Sequence, residues 1–206
     1  MFRIILFASF LFGSSMVLGQ CMQLNCTQGC SDAYIGCTEI SFSKDPGGAG
    51  VATYVWTSKI AYDFSWDSKV IIEFDAAISG RQEIMLAFSN NRRPWGDPYT
   101  DAVTIGYITK WNKVAIRKGM FADWIGSVDN YYLTQGQWHH FKLELTQTDV
   151  TIYIDSNPSI YTSGLYGNLP TTGYIGFIGY DNVNDRTLGT AKYTNCRITN
   201  EHKVTH

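Results

Sequence analysis

Residues 137–155, QWHHFKLELTQTDVTIYID, alternate apolar and polar positions with a period of two. Phe141, Leu143 and Leu145 fall on one face, Lys142 and Glu144 on the other, and Val150, Ile152 and Ile154 repeat the pattern after a short polar turn. Successive side chains of a strand point to opposite faces, so this pattern predicts two adjacent antiparallel strands with one covered and one solvated face. Further β-patterned runs bounded by turn residues are expected over Ile40–Ser43, Val51–Thr57, Lys69–Ile78, Glu83–Phe88, Ala102–Ile108, Lys113–Lys118, Gly173–Tyr180 and Ala191–Thr199. Val70, Ile72, Phe74, Ala76 and Ile78 form one inward set, and Ile175 with Phe177 another, flanked by Gly173, Gly176 and Gly179. No long stretch carries the 3.6-residue period of an amphipathic helix. The expectation is an all-β, antiparallel two-sheet sandwich of jelly-roll order, because no Cys-Trp-Cys spacing of the immunoglobulin type crosses the middle of the chain.

Residues 1–19 read as a secretory signal: Arg3 supplies the positive start, Ile4–Phe12 an apolar run too short to span a bilayer, and Val17 and Gly19 a small-residue cleavage site. Removing them takes away one charge, that of Arg3, and moves the net charge from -2 to -3, so no basic footprint for nucleic acid is expected. The remainder divides into a Cys-rich leader (20–38), one sandwich domain (39–200) and a polar tail (201–206), with no further membrane span and release from the cell as the expected fate.

Cysteine usage agrees with export. Cys21, Cys26, Cys30 and Cys37 crowd the leader, while Cys196 stands alone near the far end. First and last strands of a closed sandwich are commonly neighbours, so a Cys37–Cys196 bridge is the first choice among fifteen two-pair arrangements. One thiol is then left over, free or joining two chains. Asn25-Cys26-Thr27 is a formal glycosylation sequon whose Asn25 can be shielded by a disulfide at Cys26.

The longest turn-rich insertion, residues 89–101, SNNRRPWGDPYTD, is where a rigid scaffold would carry binding residues. Aromatic residues make up 15% of the chain, and many sit beside turns, among them Trp95, Tyr99, Trp111, Trp124, Tyr131 and Tyr132. Aromatic faces stack on sugar rings, and neighbouring Arg92, Asp97 and Asp101 can bond hydroxyls; the competing reading is that these aromatics cover sheet faces. Arg92, Trp95, Asp97, Tyr99 and Trp111 form the expected ligand-binding set.

The segments WHHFKLELTQTDVTIYID (138–155) and TTGYIGF (171–177) resemble the late strands of concanavalin A-like and laminin G-like sandwiches. Together with FDAAISGRQEIMLAFS (74–89) and DAVTIGYITKWNKVAIRKG (101–119), they are similar to the farnesoic acid O-methyltransferase-like domain over Val70–Phe177. Residues 101–106, DAVTIG, replace the Tyr-Glu-Ile start of one family strand. The resemblance implies a concanavalin A-like fold. Methyl transfer is not expected, because the glycine cluster at 46–50, PGGAG, leads into a strand pattern and not a helix.

Glycoside hydrolysis is the enzymatic rival, since family 16 glycosidases share that architecture and present E-x-D-x-x-E on one strand. Here Glu73 and Asp75 share an outward face, but the third acidic position is Ile78. No G-x-S-x-G elbow is present, and His139 and His140 are consecutive on a strand, so they cannot chelate one ion together. No cofactor is expected; Asp181, Asn182, Asn184 and Asp185 offer the oxygen set of a calcium loop, against the simpler reading of a polar hairpin turn. The expected function is a secreted, non-catalytic recognition module for glycan. The alternatives are a polysaccharide hydrolase using Glu73 and Asp75, or a structural extracellular domain that binds protein, with the odd cysteine linking a dimer.

Overall fold

The computed structural model of the chain describes residues 15–17, 23–28, 33–36, 38–43, 53–80, 82–92, 102–118, 124–164, 169–179 and 189–204. In chain order the described strands are β1 (Ser15–Val17), β2 (Leu24–Gln28), β3 (Ala33–Ile35), β4 (Glu39–Ser43), β5 (Thr53–Thr57), β6 (Tyr62–Asp63), β7 (Asp67–Ser79) and β8 (Ile84–Ser89). Then come β9 (Val103–Ile108), β10 (Lys113–Lys118), β11 (Trp124–Val128), β12 (Trp138–Leu145), β13 (Asp149–Ile154), β14 (Asn157–Gly164), β15 (Thr172–Gly179) and β16 (Thr190–His202). A 3-10 turn, Thr109–Trp111, joins β9 to β10. The strands build two antiparallel sheets, one in the order β14-β13-β12-β7-β16-β4-β3 with β1 added to β16, the other in the order β11-β10-β9-β8-β15-β5-β2 with β6 added to β15. The chain is an all-β jelly-roll sandwich.

Alternation decides which face goes inward. In the first sheet Phe141 stands opposite Phe74 and Ile154, and Leu143 opposite Ile72 and Ile152. These side chains meet Ile84, Leu86, Phe88, Ile175 and Phe177 of the second sheet in one buried core. Tyr193 of β16 ties the layers together: its hydroxyl accepts from the Met85 amide at 2.9 Å and donates to the Ile178 carbonyl at 2.9 Å. Burial pushes that phenol far above its usual pKa.

The opening hairpin continues into a third strand. Asp155 and Ser156, at φ 51° and 63°, turn β13 into β14, the paired left-handed conformation of a two-residue hairpin loop. The Asp155 carboxylate also accepts from the His140 amide at 2.9 Å and faces His139 Nδ1 at 2.5 Å, while His139 Nε2 faces the Thr134 carbonyl at 3.1 Å. His139 is therefore buried and held between Asp155 and the Thr134 carbonyl, and His140 is exposed.

Two expectations about the ends of the chain change. Residues assigned to a separate leader supply edge strands to both sheets: β2 pairs with β5 and β3 with β4, and Leu24, Cys26 and Ala33 pack against the core. The Cys37–Cys196 bridge is not formed, because Cys196 carries a free, fully buried thiol. A bulge at Asn195, φ 53°, breaks the alternation of β16, so Tyr193 and Cys196 both turn inward and the thiol meets core side chains. Burial raises the Cys196 pKa, and a thiol so enclosed is not available to join two chains. Cys26 is disulfide-bonded, while Cys21, Cys30 and Cys37 lie outside the described residues. Asn25 is exposed on β2. Among the described residues no helix is long and apolar enough to cross a membrane.

Candidate functional site

The second sheet is apolar on both sides. Its core-facing residues are matched on the opposite, outward face by a second buried cluster of Tyr54, Trp56, Met85, Ala87, Ile108, Ala115 and Ile178. Register explains the floor of this face: Ala115, Gly106 and Met85 stand side by side on β10, β9 and β8, and Ala87, Gly176 and Trp56 on β8, β15 and β5. The Trp56 indole lies over Gly176, where any Cβ would stand 2.7–2.9 Å from the ring. Tyr54 stacks on Trp56 at 6.0 Å with a 6° interplanar angle. The Trp56 Nε1 hydrogen is buried without a hydrogen-bond partner among the described residues.

At one end of this face two tryptophans rise from the floor. Trp111 closes the 3-10 turn, followed by Asn112 at φ 47°, whose carbonyl accepts from the Tyr131 amide at 2.8 Å. The Thr109 hydroxyl anchors the same turn to the Gln82 carbonyl. Trp124 opens β11 opposite Arg117, and its ring meets that of Trp111 edge-on at 5.3 Å and 66°. The two indoles keep 45% and 44% of their surface exposed, unlike Trp56, which is fully buried on β5 of the same sheet.

Cations border both rings. Lys110 Nζ lies 5.3 Å from the Trp111 centroid; Lys113 Nζ lies 4.8 Å, and the Arg117 guanidinium 5.6 Å, from that of Trp124. Lys113 pairs with exposed Asp129 at 2.9 Å, which lowers the Asp129 pKa through that hydrogen bond. Arg117 Nη2 reaches Glu83 at 3.2 Å and the Met85 sulfur at 2.8 Å, both buried, while its Nε has no partner among the described residues.

Burial pushes the Glu83 carboxyl up to about 7, against the opposing pull of Arg117. A carboxyl raised in the folded state binds its proton more tightly there than in the unfolded chain. Its contribution to stability is therefore greatest below the ordinary Glu value and is lost as pH climbs through about 4.5 to 7. Urea midpoints measured across that window are expected to fall more steeply in the parent than in Glu83→Gln. Equal slopes would show that Glu83 is ionised throughout.

The expected ligand-binding set is only partly assembled. Arg92 lies on the same outward face, with its guanidinium 3.9 Å from the Tyr174 ring and a hydrogen bond to the Ser58 carbonyl. It follows the last residue of β8, however, whereas the Trp111 turn sits beside the first. The two are thus separated by the length of that strand, roughly 17 Å. Trp95, Asp97 and Tyr99 lie outside the described residues, as do Asp181, Asn182, Asn184 and Asp185. Among the described residues no cluster of three or more His, Cys, Asp or Glu could hold a metal. Trp124, Lys113, Arg117 and Glu83 were not in the expected set. The period-2 run at Lys113, Ala115 and Arg117 was the available signal for one cationic face, but its partner Glu83 is 34 residues away.

Glu73 and Asp75 project from the outward face of the first sheet. Glu73 stands between Lys142 and Arg197 in register, and Asp75 accepts from His140 Nδ1 at 2.8 Å and from Asn195 Nδ2 at 2.7 Å. A cleft of about 240 Å³ opens one step along the same face, lined by Ala77, Ile78, Ser79, Gly136, Trp138, Thr190 and Lys192. Neither carboxylate lines it.

No protein-family model matches the chain, and no curated protein does. Solved structures do. The winged bean acidic lectin in complex with methyl-α-D-galactose superposes with a TM-score of 0.67 at 12% identity, covering 94% of this chain and 100% of the lectin. A Bacillus licheniformis β-glucanase gives 0.61 at 11% identity over 93% and 98%, and a carbohydrate-binding module from Bacillus subtilis gives 0.56 at 16% over 89% and 94%. At these identities the likeness is one of architecture, and the chain has the concanavalin A-like sandwich fold.

Proposed function

We propose that this protein is a secreted, non-catalytic carbohydrate-recognition module of the farnesoic acid O-methyltransferase-like type, and that Trp111 and Trp124 form its sugar-stacking platform. The observation that carries the reading is that two adjoining indoles stay nearly half exposed at 5.3 Å from each other, on a sheet whose other described large aromatics are buried, Tyr174 partly so. Such indoles offer flat apolar area for the C–H face of a pyranose, and Lys110, Lys113 and Asp129 offer donors and acceptors for its hydroxyls. Sugar-binding proteins among the structures of like fold support the reading. The engagement of Asp75 by two donors supports a structural and not a hydrolytic role for the Glu73–Asp75 face.

The test is a glycan array with the purified protein, with and without calcium, beside Trp111→Ala and Trp124→Ala. Selective binding is expected, weakened about 30-fold in each variant, the equivalent of roughly 2 kcal/mol for an anchoring tryptophan. Calcium dependence would assign a metal site to Asp181, Asn182, Asn184 and Asp185. Absence of any glycan binding, or binding that survives both substitutions, would sink the reading in favour of a protein-binding role.

A further inference from the structure

We infer that the platform takes an acidic saccharide, one that carries carboxylate or sulfate groups, in preference to a neutral one. The inference rests on the carbohydrate reading of the same site and names its substrate class.

Within one short stretch of the second sheet, three cations approach the two exposed indoles, Lys110 at Trp111 and both Lys113 and Arg117 at Trp124. Two carboxylates stand against them. Asp129 is mostly exposed, so its hold on Lys113 is that of a solvated surface pair, worth little and readily exchanged. Glu83 is enclosed, and burial raises its pKa towards the neutral form. The local balance is therefore positive on a chain whose net charge is -2.

Arg117 adds a second, independent observation. Its side chain is 4% exposed, yet among the described residues its Nε has no hydrogen-bond partner. A buried guanidinium N–H without an acceptor is a donor that an anion seated beside it would satisfy with a charge-assisted bond, while Nη2 stays with Glu83 and Met85. Stacking area and anion donors thus adjoin each other. A neutral sugar would meet these donors with hydroxyl oxygens alone, without the charge pairing that makes the bond to an anion the stronger one.

The probes are defined hexasaccharides: a heparin-derived one for sulfate, an oligogalacturonate for carboxylate, and cellohexaose and laminarihexaose as neutral references. Affinities are measured by calorimetry on the full chain at low and high salt. At least one acidic probe is expected to bind about tenfold or more tightly than the neutral ones at ~20 mM salt, with most of the margin lost at ~0.5 M. The sulfate and carboxylate arms identify the group. The Lys110→Ala/Lys113→Ala double variant is expected to lose the margin between acidic and neutral probes, and Trp124→Ala to weaken acidic and neutral probes alike. Neutral probes binding as tightly as acidic ones would overturn the acidic preference and leave the carbohydrate reading standing. Acidic binding indifferent to Trp124→Ala would reduce the site to a charged patch and overturn both. No binding to any probe would also overturn both.

Discussion

Gly106→Val is expected to yield no stably folded protein. A Cβ built on Gly106 meets the Ile84 carbonyl oxygen and stands 2.8 Å from Met85 Cα, and both obstacles are main chain of the neighbouring strand β8. A side chain can rotate out of the way, but β8 cannot retreat, since it is paired with β9 on one side and β15 on the other. Overpacking ordinarily costs about 1–3 kcal/mol, and backbone opposition of this kind lies at or above the top of that range. The measurement is the urea midpoint of Gly106→Val and Gly106→Ala against Gly136→Asn. Gly136 is a fair control because nothing lies within 4 Å of its Cβ position, and Asn tolerates its φ of 77°. A stable Gly106→Val protein with normal circular dichroism would refute the claim that β8 and β9 touch there.

Phe74→Ala is expected to lower unfolding stability by about 3–5 kcal/mol, a large share of the roughly 5–15 kcal/mol of an ordinary domain. Phe74 stacks on Phe141 at 5.1 Å with 3° between the rings, and Tyr193 approaches at 5.7 Å. Removal of the ring leaves a cavity at the centre of the first sheet and frees Tyr193, whose hydroxyl holds the two layers together through Met85 and Ile178. Phe74→Leu keeps most of the volume and is expected to lose under about 1.5 kcal/mol. Denaturant titration of both variants tests the pair. A loss below about 1 kcal/mol for Phe74→Ala would mean that the site collapses freely and that the interlayer link is not anchored there.

All ten strands expected from the hydrophobic pattern are present, and the inward set Val70, Ile72, Phe74, Ala76 and Ile78 is buried as the alternation requires. Strands without such a pattern were not legible. β11 reads WIGSV, half exposed, and β2 and β3 sit among cysteines and polar residues. Each is an edge strand held by main-chain pairing to one neighbour, which needs no apolar periodicity. β14 was hidden for a different reason: its turn uses Asp155 and Ser156 in place of the Asn-Gly that announces such a loop. The free thiol at Cys196 was hidden as well, because the bulge at Asn195 changes the parity of β16 only through its pairing with β7.

Of the candidate site, Trp111 was legible by its place beside a turn, and Arg92 was legible as a residue but not as a member of the same cluster. Local pattern alone determined the fold class, the core faces of the central strands and the supply of aromatic residues, because strand periodicity is written in consecutive side chains. Tertiary structure alone decided that Trp111 meets Trp124, that Arg117 meets Glu83 beneath them, and that Trp56, equally aromatic in sequence, is buried in the floor. These groupings depend on strand order and register between segments far apart in the chain, and no local pattern of side chains encodes which strand will lie beside which.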